Sequence, residues 1–181
     1  MIGRRFAYLD APTPLAFAHR GGAAAGDENT VGAFARAVGL GYRYIETDTH
    51  ATADGVAVTF HDHTLARIAG RPERIRELRW ADLSRIRVDG EPAVPRLEDI
   101  LGAWPKIRFN IDVKDDAAVE PTMDVVRRAG AQDRVLLASF SDARTARMRA
   151  ALGPDVATSL GSRGVAALWA ASRAGRAGPD A

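Results

Sequence analysis

Residues 106–114 read KIRFNIDVK. Successive side chains of a β-strand leave on opposite faces, so Asn110, Asp112 and Lys114 share one face while Ile111 and Val113 take the other. Apolar groups outward and polar groups inward fit the upper layer of a β/α barrel, where the inner face opens into a catalytic mouth. Three further apolar runs end in groups that handle protons, metal or phosphate: LAFAHRGG (15–22), YRYIETDTH (42–50) and VAVTFHDHT (56–64). Together with His63, which follows at once, these runs hold all four histidines, His19, His50, His61 and His63. Side chains that titrate near neutrality, confined to strand ends, point to chemistry.

Period and punctuation give strands near 15–20, 43–48, 56–61, 107–113, 134–139 and 156–160. Helical patterns fill 30–39, 95–103, 119–129, 142–152 and 164–174, with glycines at 39, 41, 130, 153 and 175 placed to close them. Strand and helix in this rhythm imply parallel βα units. Residues 63–94 read as a long, charged βα loop with a short helix near 80–86.

With 181 residues and 46% apolar content, the chain can bury one core, and a single domain over 1–181 is expected. The net charge of +2 comes with arginines interleaved among Asp, Glu and Ala, so no nucleic-acid-binding stripe is expected. The absence of cysteine excludes disulfides, thiolate metal sites and a cysteine nucleophile. Asp10, Pro12 and Pro14 interrupt the N-terminal segment before a signal-peptide core can form. No run approaches the roughly 18 apolar residues of a membrane span, so no stable membrane insertion is expected. The expectation is a soluble, cytoplasmic protein.

Glu46 and Asp48, two apart on one strand, leave the same face about 6.7 Å from each other. With Asp112 they make three carboxylates at one barrel mouth, where unpaired burial costs several kcal/mol, roughly, per charge. A hard divalent cation, Mg2+ or Ca2+, resolves that repulsion through oxygen ligands alone. Pairing with Arg20, Lys114 or other arginines is the alternative to that cation. His19 and His61, at the ends of two strands, form a pair able to take a proton from a nucleophile and give one to a leaving group. His50 reads as a rim residue and His63 as a solvated side chain. Arg20 and Lys114 are candidate phosphate binders, because a phosphodiester transition state needs fixed positive charge. Glu28-Asn29-Thr30 also reads as an ordinary helix N-cap, and Gly21 and Gly22 as a turn or a close backbone approach.

Taken together and in this order, AHRGG with ENT downstream, IETDTH, VAVTFHDHTLAR and NIDVK resemble the glycerophosphodiester phosphodiesterase family over about residues 16–162. The resemblance implies a TIM-type (β/α)8 barrel that hydrolyses small-molecule glycerophosphodiesters to glycerol 3-phosphate and an alcohol with a divalent ion. It implies His19 and His61 as the acid–base pair, and Glu46, Asp48 and Asp112 as metal ligands. Arg20 and Lys114 would bind phosphate, with Glu28 and Asn29 on the substrate side. A lysophospholipase D activity on the same site and an inactive binding module are the alternatives. Asp112 stands where the family usually has Glu, one methylene longer. A full barrel takes eight strands and about 250 residues, so the reading is a barrel truncated after about six βα units. RAGRAGPDA (173–181) reads as no further strand, and open sheet edges imply self-association.

Overall fold

The computed structural model describes residues 6–22 and 26–173. Its main sheet has the strand order β1 (Phe17–Ala18), β2 (Tyr44–Ala51), β6 (Arg108–Val113), β7 (Val135–Ala138) and β8 (Ala157–Thr158), all parallel. Helices α1 (Val31–Gly39), α4 (Leu97–Ala103), α5 (Val119–Arg128), α6 (Asp142–Leu152) and α7 (Ser162–Arg173) alternate with them. This is a partial α/β barrel, with helices over the outer face of the sheet. The closing glycine expected at 175, and nearly all of the 173–181 segment, lie outside the described residues.

One expected strand breaks the parallel rhythm. β3 (Ala57–Thr59) runs antiparallel to β2, pairing Thr49 with Thr59 and Ala51 with Ala57. The reason is the connection: residues 52–56 are too few for the dozen or more that a parallel crossover needs. They fold instead into a turn in which Thr52 accepts from Gly55 N–H at 3.0 Å and its amide donates to Val56 at 3.0 Å. β6 pairs with β2 over 44–49, while β1 takes the opposite edge at 44–45 and β3 the same edge at 49–51. The hairpin therefore continues the edge that the two-residue β1 leaves.

Register decides the site. Glu46 lies beside Asn110 and Asp48 beside Asp112, with their intervening neighbours Thr47 and Ile111 also paired. Along β6 burial alternates: Phe109, Ile111 and Val113 are fully buried under the helices, and the residues between them are partly open. The outer core gathers Phe34, Ile45, Phe109, Ile111, Met123, Val126, Leu137 and Met148. α5 contributes Val119, Thr122, Met123 and Val126 from the one stripe expected of an amphipathic helix, with Pro121 tolerated in its first turn. At the other end of the strands Tyr8 closes the inner face, its ring edge-on to Tyr44 at 5.3 Å. Tyr44 in turn donates its hydroxyl to the Tyr8 carbonyl at 2.6 Å.

Residues 63–94 form a folded excursion. They contain α2 (Ala66–Ala69), a 3-10 turn at Ile75–Glu77, α3 (Trp80–Leu83) and the hairpin β4 (Arg87–Val88) with β5 (Glu91–Pro92). Leu65, Ile75, Leu83, Ile86 and Val94 join Val58 and Phe60 in one apolar cluster, which explains why so charged a sequence is ordered. The short helix expected near 80–86 is α3.

Candidate active site

The site lies at the C-terminal ends of β1, β2 and β6. After β1 the chain turns sharply through a 3-10 segment, His19–Gly21, with Arg20 at φ 52°. A non-glycine residue held there costs about 1–3 kcal/mol, sustained by what surrounds it. The turn directs the Arg20 backbone N–H onto Glu46 Oε2 at 2.9 Å. It also depends on Gly21, at φ +79°, where a Cβ would meet Phe34 Cδ1 at 2.5 Å. His19 is 71% exposed, with Nε2 3.8 Å from Glu46 Oε2.

Burial, and next the charge of Asp48, push the Glu46 carboxyl up to about 7. Asp48 is only 2% exposed and is met on every side. Lys114 Nζ lies 2.7 Å from its Oδ1, Asn29 Nδ2 donates to its Oδ2 at 3.0 Å, and Arg20 Nε is 3.4 Å from Oδ2. Lys114 also donates to Asp112 Oδ2 at 2.7 Å. Burial alone would lower the Lys114 ammonium, but its bonds to Asp112 and Asp48 outweigh this and raise it. Lys114 and Arg20 thus supply the positive charge that faces these carboxylates.

Asn29 is buried and engaged throughout. Its Oδ1 accepts from Thr47 Oγ1 at 2.7 Å, its carbonyl from Thr59 Oγ1 at 2.9 Å, and its own N–H donates to the Arg20 carbonyl at 2.9 Å. It faces Asp48, not open space, so the geometry makes it a brace for that carboxylate. Within the ENT triplet Thr30 is the N-cap, its hydroxyl accepting from Ala33 N–H at 3.2 Å.

Glu28 joins a network that sequence reading missed. Arg67, from α2 in the excursion, reaches Glu28 Oε1 at 2.5 Å and Asp62 Oδ2 at 2.7 Å, while Arg20 donates to Glu28 at 3.1 Å. Arg67 holds the Glu28 carboxyl below its ordinary value, and Arg67 followed by His61 holds Asp62 at about 2. Asp62 Oδ1 lies 2.6 Å from His61 Nδ1. A carboxylate with Nδ1 takes the proton on that nitrogen and leaves Nε2 as the one for exchange. Asp62 stood in the motif already quoted, immediately after His61, and the i to i+5 link to Arg67 had no local periodicity to reveal it.

His50 is not a rim residue. It is 1% exposed because the β3 hairpin covers it, with Nδ1 2.9 Å from Asp115 Oδ2 and Nε2 3.1 Å from the His61 carbonyl. His63 is exposed as expected, but its ring packs edge-on to His50 at 5.0 Å. Burial, and next the charge of His50, lower the His63 imidazole. Burial would raise the Asp115 carboxyl, but its bond to His50 draws it below the usual range. Among the described residues, His50, His63 and Asp115 are the group of three ligand-type side chains whose donor atoms lie within 4.8 Å of one another, and this group could hold a metal ion. Glu46, Asp48 and Asp112 are not drawn so close.

Asn110 Oδ1 is buried without a hydrogen-bond partner. It lines a cavity of about 420 Å³ with Glu46, Asp112, Ser139, Phe140, Leu160 and Val165. An orphaned amide oxygen, a carboxyl raised by burial and then by the charge of Asp48, and two further carboxylates make a donor set that fits a hard divalent cation.

Parallel strands that carry carboxylates and imidazoles at their C-terminal ends define a β/α-barrel protein with a hydrolase-type site. The chain belongs to the glycerophosphoryl diester phosphodiesterase family, whose sequence pattern matches residues 19–160. It is 42% identical over 160 residues to a probable glycerophosphodiester phosphodiesterase of Mycobacterium tuberculosis, covering 88% of this chain and 60% of that one. It is 31% identical over 125 residues to a lysophospholipase D of Homo sapiens, covering 61% of this chain and 40% of that one. The fold matches the glycerophosphoryl diester phosphodiesterase domain of another Mycobacterium tuberculosis protein with a TM-score of 0.80 at 21% identity, covering 93% of this chain and 68% of that one. No helix among the described residues is long and apolar enough to cross a membrane.

Proposed function

We propose that this chain carries the phosphodiesterase site of an enzyme that hydrolyses glycerophosphodiesters to glycerol 3-phosphate and an alcohol. The observation that carries the reading is the in-register block of Glu46, Asn110, Asp48 and Asp112 at the barrel mouth, flanked by His19 and by a His61 braced on Asp62. Glu46, Asp48 and Asp112 would hold a Mg2+ or Ca2+ ion. Such an ion supplies Lewis-acid stabilisation of charge on the phosphoryl oxygens.

The protein's own groups account for the rest. One imidazole takes a proton from the attacking water as the new P–O bond forms. The other protonates the leaving alkoxide as the old P–O bond breaks, each transfer contributing roughly a hundred- to ten-thousandfold. His61 suits either role, because Asp62 fixes its ring and leaves Nε2 free to exchange. His19, largely exposed, exchanges protons with water between turnovers. Arg20 and Lys114 supply positive charge at the edge of the same block, and Asn29 and Glu28 hold Asp48 and Arg20 in place.

The test is release of glycerol 3-phosphate from glycerophosphocholine with Mg2+ or Ca2+, measured against His19→Ala and against EDTA. Release that disappears in both controls is expected. No release above the His19→Ala background would overturn the reading, and full turnover in EDTA would remove the ion from it.

One observation favours a second substrate. Phe140 is 78% exposed and lines the same cavity as Glu46 and Asp112, next to Leu160 and Val165. An apolar wall there suits an acyl chain, in keeping with the similarity to a lysophospholipase D. Lysophosphatidylcholine tested beside glycerophosphocholine separates the two. Phe140→Ser is expected to depress hydrolysis of the acylated substrate only.

A cytoplasmic location belongs to the same proposal and is checked by cell fractionation. So does self-association, supported by the pairing of β1 and β8 on one side only among the described residues. A monodisperse monomer in light scattering would remove it.

A further inference from the structure

We infer that His50, His63 and Asp115 form a second metal site, separate from the carboxylate block and selective for a nitrogen-preferring divalent ion of the zinc type. The three residues come from three elements: the end of β2, the segment after β3 and the segment after β6. Their donor atoms already lie within 4.8 Å of one another.

The tautomer of His50 carries the argument. Its Nε2 faces the His61 carbonyl at 3.1 Å. A carbonyl only accepts, so Nε2 bears a hydrogen. Its Nδ1 faces Asp115 Oδ2 at 2.9 Å. A bare Nδ1 and a carboxylate oxygen would both present lone pairs across that gap. They need a shared cation, which is either a proton or a metal ion. A histidine that donates one ring N–H to a carbonyl has the outer half of the arrangement that metal-binding histidines adopt, with the other nitrogen, here Nδ1, left for the ion. Asp115 is oriented as well, since its other oxygen, Oδ1, accepts the Ala118 N–H at 2.9 Å.

The remaining ligand is free to adjust. Donors around a tetrahedral zinc ion, at bond lengths near 2.1 Å, stand about 3.4 Å apart. His50 and Asp115 need to part by a few tenths of an ångström, and exposed His63 closes the rest by rotating. Three protein ligands then leave one position to water. Two imidazoles and one carboxylate favour zinc, cobalt or nickel over magnesium, whereas the all-oxygen block has the opposite preference. Because His50 also holds the His61 backbone, an ion at this site stiffens the segment that carries His61.

The test uses the full chain, stripped with chelator and kept in excess Mg2+ so that oxygen sites are occupied, and titrated with Co2+ and separately with Zn2+. The expected results are intense visible Co2+ absorption of the nitrogen-ligated, low-coordinate kind and one Zn2+ per chain by calorimetry. His63→Ala, at an exposed position, and Asp115→Asn, which retains the oxygen that accepts from Ala118, should each weaken binding roughly tenfold or more. Asp112→Asn should not. Absence of the visible bands, or His63→Ala binding Co2+ as the parent does, overturns the inference.

Discussion

Lys114 Nζ lies 2.7 Å from Asp48 Oδ1 and 2.7 Å from Asp112 Oδ2, so one ammonium group bridges two carboxylates that stand side by side on adjacent strands. Its charge offsets part of the repulsion that a divalent cation at this block would also relieve.

Replacing Lys114 by Met should therefore destabilise the chain in the absence of divalent ions by about 3 kcal/mol, because two nearby carboxylates lose their shared partner. Addition of Mg2+ should return more stability to Lys114→Met than to the parent. Urea denaturation with and without the ion measures both. Equal Mg2+ responses would mean that the ammonium and the ion do not offset the same repulsion.

Glu46 gives a pH signature. Burial and then Asp48 raise its folded value to about 7, from an ordinary value of 4.5. The folded chain thus binds more protons than the unfolded one between these values, and stability falls as pH rises through that window. The penalty is absent below about 4.5 and complete above about 7. Glu46→Gln should flatten the metal-free stability profile across this range. A profile as steep as that of the parent would place the titration elsewhere.

Asp62→Asn should lower kcat on a glycerophosphodiester by roughly a hundredfold or more with little change in KM. Asp62 fixes the orientation and tautomer of His61, and an amide there can stabilise the wrong one. Activity within a few-fold of the parent would show that His61 needs no such support.

Gly21→Ala brings a Cβ to 2.5 Å from Phe34 Cδ1 at a position with φ +79°. Both the clash and the strain act on the folded state, at a combined cost of roughly 2–4 kcal/mol. A urea midpoint equal to that of the parent would contradict this account.

Much of the site was legible because a strand has a period of two. Glu46 and Asp48 share a face by parity alone, as do Asn110 and Asp112, but that β2 lies directly beside β6 follows from β3 leaving the parallel order, which the rhythm did not show. The antiparallel β3 was not read, although a five-residue link around Asp54-Gly55 is too short for a crossover. Arg67 and Asp115 escaped for another reason. Arg67 reaches Glu28 across 39 positions and Asp115 reaches His50 across 65. Such pairings depend on where the excursion and the segment after β6 fold, and no local pattern encodes that. Asn29 had a sufficient local explanation as part of a cap, which hid its longer-range hold on Asp48.

The excursion at 63–94 packs on an apolar cluster shared with the end of β3 and reaches the site through Arg67, which pairs with Glu28 and Asp62. Mutations on its outer surface can accumulate without moving Glu46, Asp48 or Asp112. Over evolutionary time, or in a directed library, this is the segment whose surface can drift while Glu46, Asp48 and Asp112 stay fixed. Arg67 is the residue that such drift must keep.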